Sequence, residues 1–560
     1  MDQPLIECVP NFSEGRNPET IRAIADAIES VEAVKLLNVD PGQATNRTVY
    51  TFVGPPAEVC EAAVRAAAKA AELIDMRLHK GEHPRFGAMD VCPLVPIAGI
   101  TMEETVEWAR KLGKRLADEL GMTIYLYENA ASREDRRNLA TVRQGEYEGL
   151  SEKLARPEWQ PDFGPAAFNE RLGATAVGAR DFLVAYNVNL NTTSTRRANA
   201  IAFDIREKGR LKKVDDKPVL DEHGDPVWIP GSLKAVKAIG WFIEEYGIAQ
   251  ISVNLTNIAV TPIHVCFEEA ARKADARGVR VTGSEIVGLV PLKALLDAGR
   301  YFLRKQQRST GVADRELIKI AIRSLGLEDL APFVPEERII EYAIRDPKPR
   351  LVDLSLRSFV EETASESPAP GGGSVAAALG ALGAALGTMV ANLSSHKRGW
   401  DERWEEFSDW AERGKAAHDE LLRLVDADTD AFNRVMDAFG LPKETSEDKA
   451  RRKESIEEAT KRAIEVPLRV MEVALESMAV IGAMAEIGNP NSVSDAGVGA
   501  VCARSAVLGA RLNVEINCGG LKDEVYTAEV RSKAAQLQDR ACAREIEILS
   551  IVERRMAEPA

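Results

Sequence analysis

The feature that most constrains this chain is a change of pattern between residues 345 and 355. Before it, short apolar runs of strand type alternate with segments of helical period, and after it no convincing strand appears. The stretch "RDPKPRLVDLS" carries two prolines among charged residues, which is typical of a linker. A chain of 560 residues is also too long for one hydrophobic core. We therefore expect an α+β portion followed by a separate all-α helical bundle.

The α+β portion is expected to contain two related subdomains. Its first 130 residues follow the order strand, helix, strand, strand, helix, strand, which is that of a split β-α-β unit with a mixed sheet. The run "SVNLTN" and the helical pattern after Pro262 indicate a second unit, and residues 212–231 are charged and turn-rich, as in a surface hairpin or loop. The predicted domains are 1–195 and 196–345 for the two subdomains, 346–353 for the linker, and 354–560 for the bundle. The predicted strands of the first unit are Leu5–Val9, Val34–Val39, Val49–Val53, Val91–Ile97 and Thr123–Tyr127.

Charge and cysteine usage exclude some classes of protein. A net charge of −15 argues against a general nucleic-acid binder, which needs a basic face, although local Arg and Lys can still bind a small anion. The seven cysteines are scattered and never spaced as C-x-x-C, which indicates reduced thiols. No signal-peptide pattern opens the sequence. We expect a cytoplasmic protein.

The most membrane-like segment is "VAAALGALGAALGTMVANL", residues 375–393. Its apolarity comes mostly from Ala and Gly, which are weakly hydrophobic, and Asn392 interrupts its end. Small residues allow helices to pack closely, so we expect a packed bundle helix rather than a membrane span. The same close packing favours self-association of the bundle, as a homo-oligomer.

The stretch "LHKGEHPRFGAMDV" holds two of the six histidines in the spacing H-x-x-E-H, a zinc-ligand pattern when it is helical. Gly81 lies inside the motif and Pro84 follows His83, so a continuous helix is disfavoured. We predict no metal, although zinc stays an alternative. A histidine on a Gly/Pro-rich loop before a strand is a candidate for general acid–base catalysis, and the alternative is a surface histidine.

The helical segment "LLRLVDADTDAFNRVM" contains a carboxylate at a position where the helical period predicts an apolar residue. At 100° per residue, Asp428 lies on the apolar face with Leu421, Val425 and Ala431, among others, whereas Asp426 and Asp430 lie on the opposite, solvated face. Burying a carboxylate costs several kcal/mol unless it is partnered or protonated. Burial also raises the pKa, which suits a general acid. Asp428 therefore needs a structural or functional reason.

Two further segments of the bundle are weaker candidates. The run Gly371–Ser374 is expected to open a helix and could offer backbone N–H groups to an anion such as a ligand carboxylate, or be a plain helix start. It is not a Walker A loop, because no G-K-[ST] follows. The residues Asn489, Ser494 and Asp495 lie in a small-residue segment that could line the same pocket as Asp428.

Several long motifs together resemble a known family. In the α+β portion they are "VPNFSEGRN", "NVDPGQATNRTVYTFVG", "HKGEHPRFGAMDVCP" and "GARDFLVAYNVNLNT", which closely resemble glutamate formimidoyltransferase. The bundle, with "SPAPGGGSVAAALGALGAALG", "LVDADTDAFNRVM" and "GNPNSVSDAGVGA", is similar to formimidoyltetrahydrofolate cyclodeaminase. The resemblance covers nearly the whole chain, in the order of the bifunctional formimidoyltransferase-cyclodeaminases.

For the transferase half, the resemblance implies that His83 of the H-P-R-x-G-A motif is the catalytic acid–base. Tetrahydrofolate N5 attacks the formimino carbon of formiminoglutamate and loses a proton, and the leaving glutamate nitrogen gains one. Asp40, expected on a D-P-G turn, is our candidate to orient and charge-stabilise His83; the alternative is a turn residue that caps its own backbone. Asp181 stands where the animal enzymes have a basic residue. The family's folate-binding segment corresponds to Gly178, Ala179, Arg180, Asp181, Phe182, Leu183, Val184, Ala185, Tyr186 and Asn187.

For the bundle, the resemblance implies that the second Asp of V-D-A-D, which is Asp428, is the catalytic acid of cyclisation. The implied function is a bifunctional folate enzyme of histidine degradation, with tetrahydrofolate, possibly polyglutamylated, as cosubstrate. Two alternatives stay open. One is a formyltransferase that uses formylglutamate with the same His83, and the other is a non-catalytic folate-binding or scaffold protein.

Overall fold

The computed structural model describes residues 4–43, 45–81, 85–215, 217–344 and 350–557. By its internal contacts the chain divides into two compact units. The first unit comprises Met1–Leu295 and Leu325–Arg345, and the second comprises Leu296–Ser324 and Asp346–Ala560.

The first unit begins with a seven-stranded sheet. Strand β3 pairs only with β4, which pairs with both β1 and β2; these pair with β5, and β7 and then β6 follow. The pairings of β7 with β5 and β6 are parallel and the others are antiparallel, so the sheet is mixed, as predicted. Its strands are β1 Leu5–Cys8, β2 Asn11–Phe12, β3 Lys35–Gly42, β4 Arg47–Gly54, β5 Met89–Ala98, β6 Thr123–Glu128 and β7 Ala174–Ala179.

Three amphipathic helices cover one face of this sheet, and their ends are marked in the sequence. The first is capped by Asn17, whose side chain accepts from two backbone N–H groups, and Pro18 occupies its first turn. The third begins with a capping box between Thr101 and Glu104 and ends at Gly121, which has a positive φ. The helices before the second sheet are α1 Pro18–Glu29, α2 Pro56–Leu73, α3 Met102–Leu120, α4 Leu139–Val142 and α5 Leu150–Leu154.

A second, four-stranded sheet completes the β-structure of this unit, in the order β13-β14-β8-β15, with every pairing antiparallel. Residues 212–231, predicted as a surface hairpin or loop, contain only short two-residue strands in the part described. The strands are β8 Val184–Leu190, β9 Arg210–Leu211, β10 Lys213–Val214, β11 Lys217–Pro218, β12 Trp228–Ile229, β13 Val236–Ile243, β14 Ile248–Leu255 and β15 Val281–Val287. The helices from residue 195 to 343 are α6 Thr195–Ile205, α7 Ile263–Asp275, α8 Leu292–Lys305, α9 Asp314–Leu325, α10 Pro335–Arg338 and α11 Ile340–Ala343.

The second unit is a bundle of long helices, and no strand occurs in the described residues after 350. The prediction of an α+β portion followed by an all-α bundle is therefore confirmed. The helices are α12 Leu356–Thr363, α13 Gly372–Ser395, α14 Trp404–Gly440, α15 Ser446–Ile487, α16 Val493–Cys518 and α17 Glu524–Ala557.

Helix α13 packs against α14, α15 and α16. Its buried positions are almost all Gly, Ala, Ser or Thr, which allows neighbouring helices to approach closely. It is the one helix of the described residues that is long and apolar enough to cross a bilayer by length and composition, and 61% of its most apolar window is buried within the protein.

The second unit also contains a segment from before the predicted linker. Thr310 N donates to Ser408 Oγ on α14 at 3.0 Å, and Asn392 Nδ2 on α13 donates to Gly311 O at 2.9 Å. Lys415 on α14 pairs with Asp314 at 2.8 Å. Thr310 is 1% exposed, so these contacts belong to the interior of the bundle. Residues 296–324 are thus part of the body that holds α13 and α14.

These contacts predict a difference between two fragments. A fragment 354–560 lacks the partners of Ser408 and Asn392 and one of the two carboxylates that pair with Lys415, whereas a fragment 291–560 keeps them. Three buried or half-buried polar contacts at about 1 kcal/mol each make the shorter fragment roughly 3 kcal/mol less stable. For a domain of this size that lowers the midpoint of thermal unfolding by about 6–12 °C. Equal midpoints in calorimetry would show that residues 296–324 do not stabilise the bundle.

Candidate active sites

Polar side chains lie on the face of the first sheet that is opposite to α1, α2 and α3. Residues directly opposite on paired strands lie on the same face. Asp40 and Asn11 both pair with Val49, and Glu7 pairs with Val53, four positions further along the same strand. Asp40, Asn11 and Glu7 therefore share one face, on three different strands.

The predicted D-P-G turn at Asp40 is wrong. Asp40, Pro41 and Gly42 are the last residues of β3 and pair with Val49, Thr48 and Arg47. Because β3 is an edge strand, the missing N–H of proline costs the sheet little there. Asp40 itself is exposed. Its predicted partner His83 lies outside the described residues, so the contact between them stays a prediction.

The first histidine of the H-x-x-E-H motif is structural. His79 lies in an irregular segment, not in a helix, and only 8% of it is exposed. Its Nε2 lies 2.7 Å from the carbonyl oxygen of Asn46, to which it donates, and burial lowers its pKa. A helix that presents both histidines to zinc is therefore not formed at this end of the motif.

Asn46 joins three of the motif segments, and the sequence analysis missed it. Besides accepting from His79, it accepts from Gly15 N at 3.0 Å through Oδ1 and donates through Nδ2 to Lys80 O at 2.9 Å. Its φ of 49° is left-handed, a conformation that Asn adopts more readily than most residues. A Cβ on Gly81 would lie 2.2 Å from Thr45 O, so this approach requires glycine. The signal in the sequence was an Asn where a sharp backbone turn follows β3.

Two further groups on this side of the unit were also missed. Glu7 is 5% exposed, and burial raises its pKa to about 7, while Arg180 opposes the shift. It therefore titrates near neutral pH, as an acid–base group requires. The buried carboxylate of Asp90 accepts from both Arg47 and Arg143, and Arg47 Nε also donates to Asn11 at 2.8 Å.

The ten residues of the predicted folate-binding segment do not form one surface. Gly178 and Ala179 end β7 in the first sheet, and Val184 to Asn187 begin β8 in the second sheet, so the segment crosses between the two sheets. The side chains of Ala179, Val184 and Tyr186 are fully buried, and Tyr186 donates to Ser284 at 2.8 Å. These three therefore support the fold.

The polar members of the segment are better placed to meet a ligand. Arg180 Nη1 donates to the Asp181 carbonyl at 2.9 Å, and Asp181 Oδ2 accepts from Asn257 at 3.3 Å. Phe182 is half-buried and Leu183 is 37% exposed. Asn187 lies in a polar network on the second sheet with Asn189, Gln250 and Glu285, which sequence analysis did not identify.

In the second unit, Asp428 lies on α14 and contacts the start of α13. Ser374 Oγ is 3.1 Å from Asp428 Oδ2, and the Ser374 backbone N–H also donates to this carboxylate. Burial raises the pKa of Asp428, and the two Ser374 donors lower it by less, so the pKa is raised overall. Leu421, Val425 and Ala431 are buried on the same face, as the helical period predicted.

The anion at the N-terminus of α13 is a side chain of the protein itself, the carboxylate of Asp428. A Cβ on Gly373 would lie 2.1 Å from Asp428 Oδ1, so the absence of a side chain lets the carboxylate reach the helix N-terminus. The Ser374 N–H of the run Gly371–Ser374 donates to Asp428, and anion binding by the remaining N–H groups of the run stays a prediction. The N-terminus of α13 stabilises Asp428.

The prediction that Asp426 is a solvated residue is wrong. Its Oδ1 accepts from Leu351 N at 2.7 Å, it is half-buried, and burial raises its pKa. Asp430 is exposed as predicted.

The segment with Asn489 belongs to the other end of the bundle. Asn489 N donates to Ser394 at the C-terminal end of α13, whereas Asp428 contacts Ser374 at the N-terminal end. Twenty residues of helix separate these ends by about 30 Å, so Asn489 and Asp428 do not line one small pocket.

Family models match most of the chain. A formiminotransferase domain, N-terminal subdomain, matches residues 5–180; a formiminotransferase domain matches 185–345; and a formiminotransferase-cyclodeaminase domain matches 355–536. The chain is 44% identical to formimidoyltransferase-cyclodeaminase of Rattus norvegicus over 98% of its length and 99% of that protein. It belongs to the formimidoyltransferase-cyclodeaminase family.

Other members of this group match parts of the chain. Glutamate formimidoyltransferase of Thermoplasma acidophilum is 43% identical over 57% of this chain and 98% of that protein. The crystal structure of formiminotetrahydrofolate cyclodeaminase from Thermotoga maritima is 27% identical, with a TM-score of 0.33, over 36% of this chain and 98% of that one.

Proposed function

We propose that this chain is a bifunctional folate enzyme. It transfers the formimino group of N-formimino-L-glutamate to N5 of tetrahydrofolate and then cyclises 5-formiminotetrahydrofolate to 5,10-methenyltetrahydrofolate, with release of ammonia. The observation that carries the proposal is the 44% identity to a formimidoyltransferase-cyclodeaminase over 98% of the chain, which includes both units. Incubation with both substrates, with 5,10-methenyltetrahydrofolate absorbance and ammonia followed together, tests it.

In the transfer step, one acid–base group near neutral pKa moves two protons. It takes the proton that N5 loses on attack, and it protonates the glutamate nitrogen as that group leaves. We assign this role to His83 from its motif, with Asp40 to orient it. The exposure of Asp40 on the open face of the first sheet supports this assignment. Glu7, with a pKa of about 7 on the same face, is the competing acid–base group among the described residues.

We place folate along residues 178–187, with Arg180, Phe182 and Leu183 as the partly exposed side chains that contact it. Arg180 supplies a polar group directly after β7, and Phe182 and Leu183 supply apolar surface. Tetrahydrofolate or its polyglutamylated form is the cosubstrate, and no metal takes part. Stoichiometric zinc in the purified protein would contradict the last point.

In the cyclisation step, folate N10 attacks the formimino carbon and loses its proton, and the formimino nitrogen gains a proton and becomes NH₂. A second proton, from an acid, lets this nitrogen leave as ammonia. We assign Asp428 as the acid. Its carboxyl is half-buried on the apolar face of α14, and burial raises its pKa, which keeps more of it protonated near neutral pH.

Two other functions remain to be distinguished. A formyltransferase would use N-formylglutamate with the same residues, because the formyl and formimino groups differ only in =O against =NH. Comparison of both donors in one assay separates them. A non-catalytic folate-binding or scaffold protein would bind tetrahydrofolate without turnover.

We further propose four parts: transferase subdomains at 1–195 and 196–345, a linker at 346–353, and the cyclodeaminase bundle at 354–560. A cytoplasmic location is supported by the seven cysteines, each of which is free. Nucleic acid and membrane are not proposed as partners.

A homo-oligomer is supported by apolar side chains that α13 and α16 expose. These two helices pack against each other, and each carries exposed large apolar residues at spacings of three, four, seven or eleven residues, which recur on one side of a helix. Exposed apolar residues in such numbers are typical of a protein interface. The exposed residues are Val375, Leu382, Met389 and Leu393 on α13, and Val498, Val501, Leu512 and Ile516 on α16.

The first prediction here concerns His83. In His83→Ala, formimino transfer should fall by at least about 10², the usual effect of removing a positioned acid–base group. Conversion of supplied 5-formiminotetrahydrofolate should stay unchanged, because that step belongs to the other unit. Transfer at the wild-type rate would remove His83 from the mechanism and leave Glu7 to be tested by Glu7→Gln.

A second prediction concerns Asp428. Asn keeps the shape but gives no proton to the leaving ammonia, so in Asp428→Asn the cyclisation kcat should fall by roughly 10²–10⁴. Stability should hold or rise, because a carboxyl whose pKa burial raises is a cost at neutral pH. Transfer should continue, so 5-formiminotetrahydrofolate should accumulate.

The matched control is Asp430→Asn, two residues away on the exposed face of the same helix. It should leave kcat unchanged. Asp426→Asn is not suitable, since Asp426 accepts from Leu351 N. Equal losses in the Asp428 and Asp430 variants would contradict the assignment.

The last prediction here concerns assembly. Leu512 is 72% exposed on α16, and in Leu512→Glu an isolated carboxylate would enter the proposed interface, so the oligomer should dissociate. Sedimentation velocity gives the mass of each species. Leu356→Glu, at a position 79% exposed on α12, is the control and should keep the wild-type mass. An unchanged mass in Leu512→Glu would show that this face is not the interface.

A further inference from the structure

Ser374 lies in the first turn of α13 and is fully buried. Its Oγ lies 2.9 Å from Val425 O, 3.1 Å from Asp428 Oδ2 and 3.2 Å from Thr429 Oγ1, all on α14. A serine at a helix start commonly caps its own helix. Here the N-cap is Gly371, which makes no side-chain cap, and the Ser374 hydroxyl faces α14 instead.

The backbone adds a second donor. Ser374 N belongs to the first turn, whose N–H groups have no partner within the helix, and it donates to the Asp428 carboxylate. The partial positive charge of the helix N-terminus acts on the same carboxylate. The single hydroxyl proton of Ser374 is shared between Val425 O and Asp428 Oδ2. The shared hydroxyl, the Ser374 N–H and the helix N-terminus favour the ionised form of Asp428 over the neutral acid, because each one meets negative charge.

We infer that Ser374 is a positioning residue of the cyclisation site, which holds the Asp428 carboxyl in one orientation and stabilises the carboxylate that remains after proton transfer. This inference rests on the proposed function, in which Asp428 is the acid. In that step the bond between the former formimino carbon and its NH₂ group breaks, and the electron pair leaves with nitrogen. The nitrogen takes the proton of Asp428 and departs as ammonia, and the N5 lone pair forms the new C=N bond. Asp428 is left as the carboxylate that faces Ser374.

Two opposite effects therefore set the acidity of Asp428. Burial alone raises the pKa and would give a weak acid, and the Ser374 donors bring the pKa part of the way back. No charge–charge interaction contributes to this shift. Helix α13 carries no charged residue, and the nearest titratable groups on α14 are Asp426 and Asp430. The hydrogen bonds from Ser374 are thus the part of the Asp428 environment that lowers the pKa of this carboxyl.

The test is Ser374→Ala in the full-length chain, with cyclisation of supplied 5-formiminotetrahydrofolate measured across pH. A hydrogen bond to a charged group is worth about 1.5–3 kcal/mol, so kcat should fall roughly 10- to 100-fold. KM should stay within about twofold, because the role lies in proton transfer. Loss of a donor to the carboxylate raises the pKa of Asp428, so the acid stays protonated to higher pH. The basic limb of the kcat profile should therefore move to higher pH.

Two further variants separate positioning from packing. Ser374→Thr restores a hydroxyl and should recover most of kcat and the original limb. Ser477→Ala removes another buried hydroxyl of the same unit, which donates only to Ala474 O of its own helix at 2.7 Å. It should lower the unfolding midpoint about as much as Ser374→Ala and leave both kcat and the limb unchanged. Transfer activity should be normal in all three.

Two results would contradict the role of Ser374. An unshifted basic limb in Ser374→Ala, or an equal loss of kcat in Ser477→Ala, overturns it. Failure of the proposed acid would appear separately, as full cyclisation activity in Asp428→Asn.

Discussion

The contact between a half-buried carboxylate and the start of a helix joins α13 to α14 in the second unit. Asp428 reaches α13 only because Gly373 carries no side chain, and the contact becomes favourable because Ser374 supplies two donors. Small residues along the rest of α13 let α14, α15 and α16 pack closely around it, which removes water from the carboxyl. A larger residue at the start of α13 would therefore separate the two helices and expose the Asp428 carboxyl.

The first unit also depends on contacts between distant segments, but there a single asparagine makes them. Its motif residues lie on loops and strand ends, which regular secondary structure does not fix in place. Hydrogen bonds between segments are therefore needed to position them. Asn46 provides three of these through its carbonyl and its side-chain amide, one to Gly15 and two to the adjacent residues His79 and Lys80. Its left-handed backbone conformation accompanies these contacts. Strain of this kind at a buried residue is usually maintained where geometry matters for function.

The parts of this picture that depend on local period could be predicted from the sequence. The division into an α+β portion and a bundle, and the position of Asp428 on the apolar face of α14, both follow from the spacing of apolar residues. Features that depend on distant segments could not be. The bond from Leu351 to Asp426 joins residues 75 positions apart, and the edge position of β3, which accommodates Pro41, depends on the order of strands in the sheet. Asn46 was not identified because its partners, Gly15 and the pair His79 and Lys80, come from two other motifs that are distant in the sequence.

The path of the backbone between the two units has a consequence for how the protein can be taken apart. The chain passes from the first unit to the second after Leu295, returns after Ser324, and passes over again after Arg345. Three covalent connections therefore join the units, and only the last of them lies at the predicted linker. A single proteolytic cut there would leave the two enzymatic halves tethered by helices α8 and α9, so they would purify together as a nicked protein.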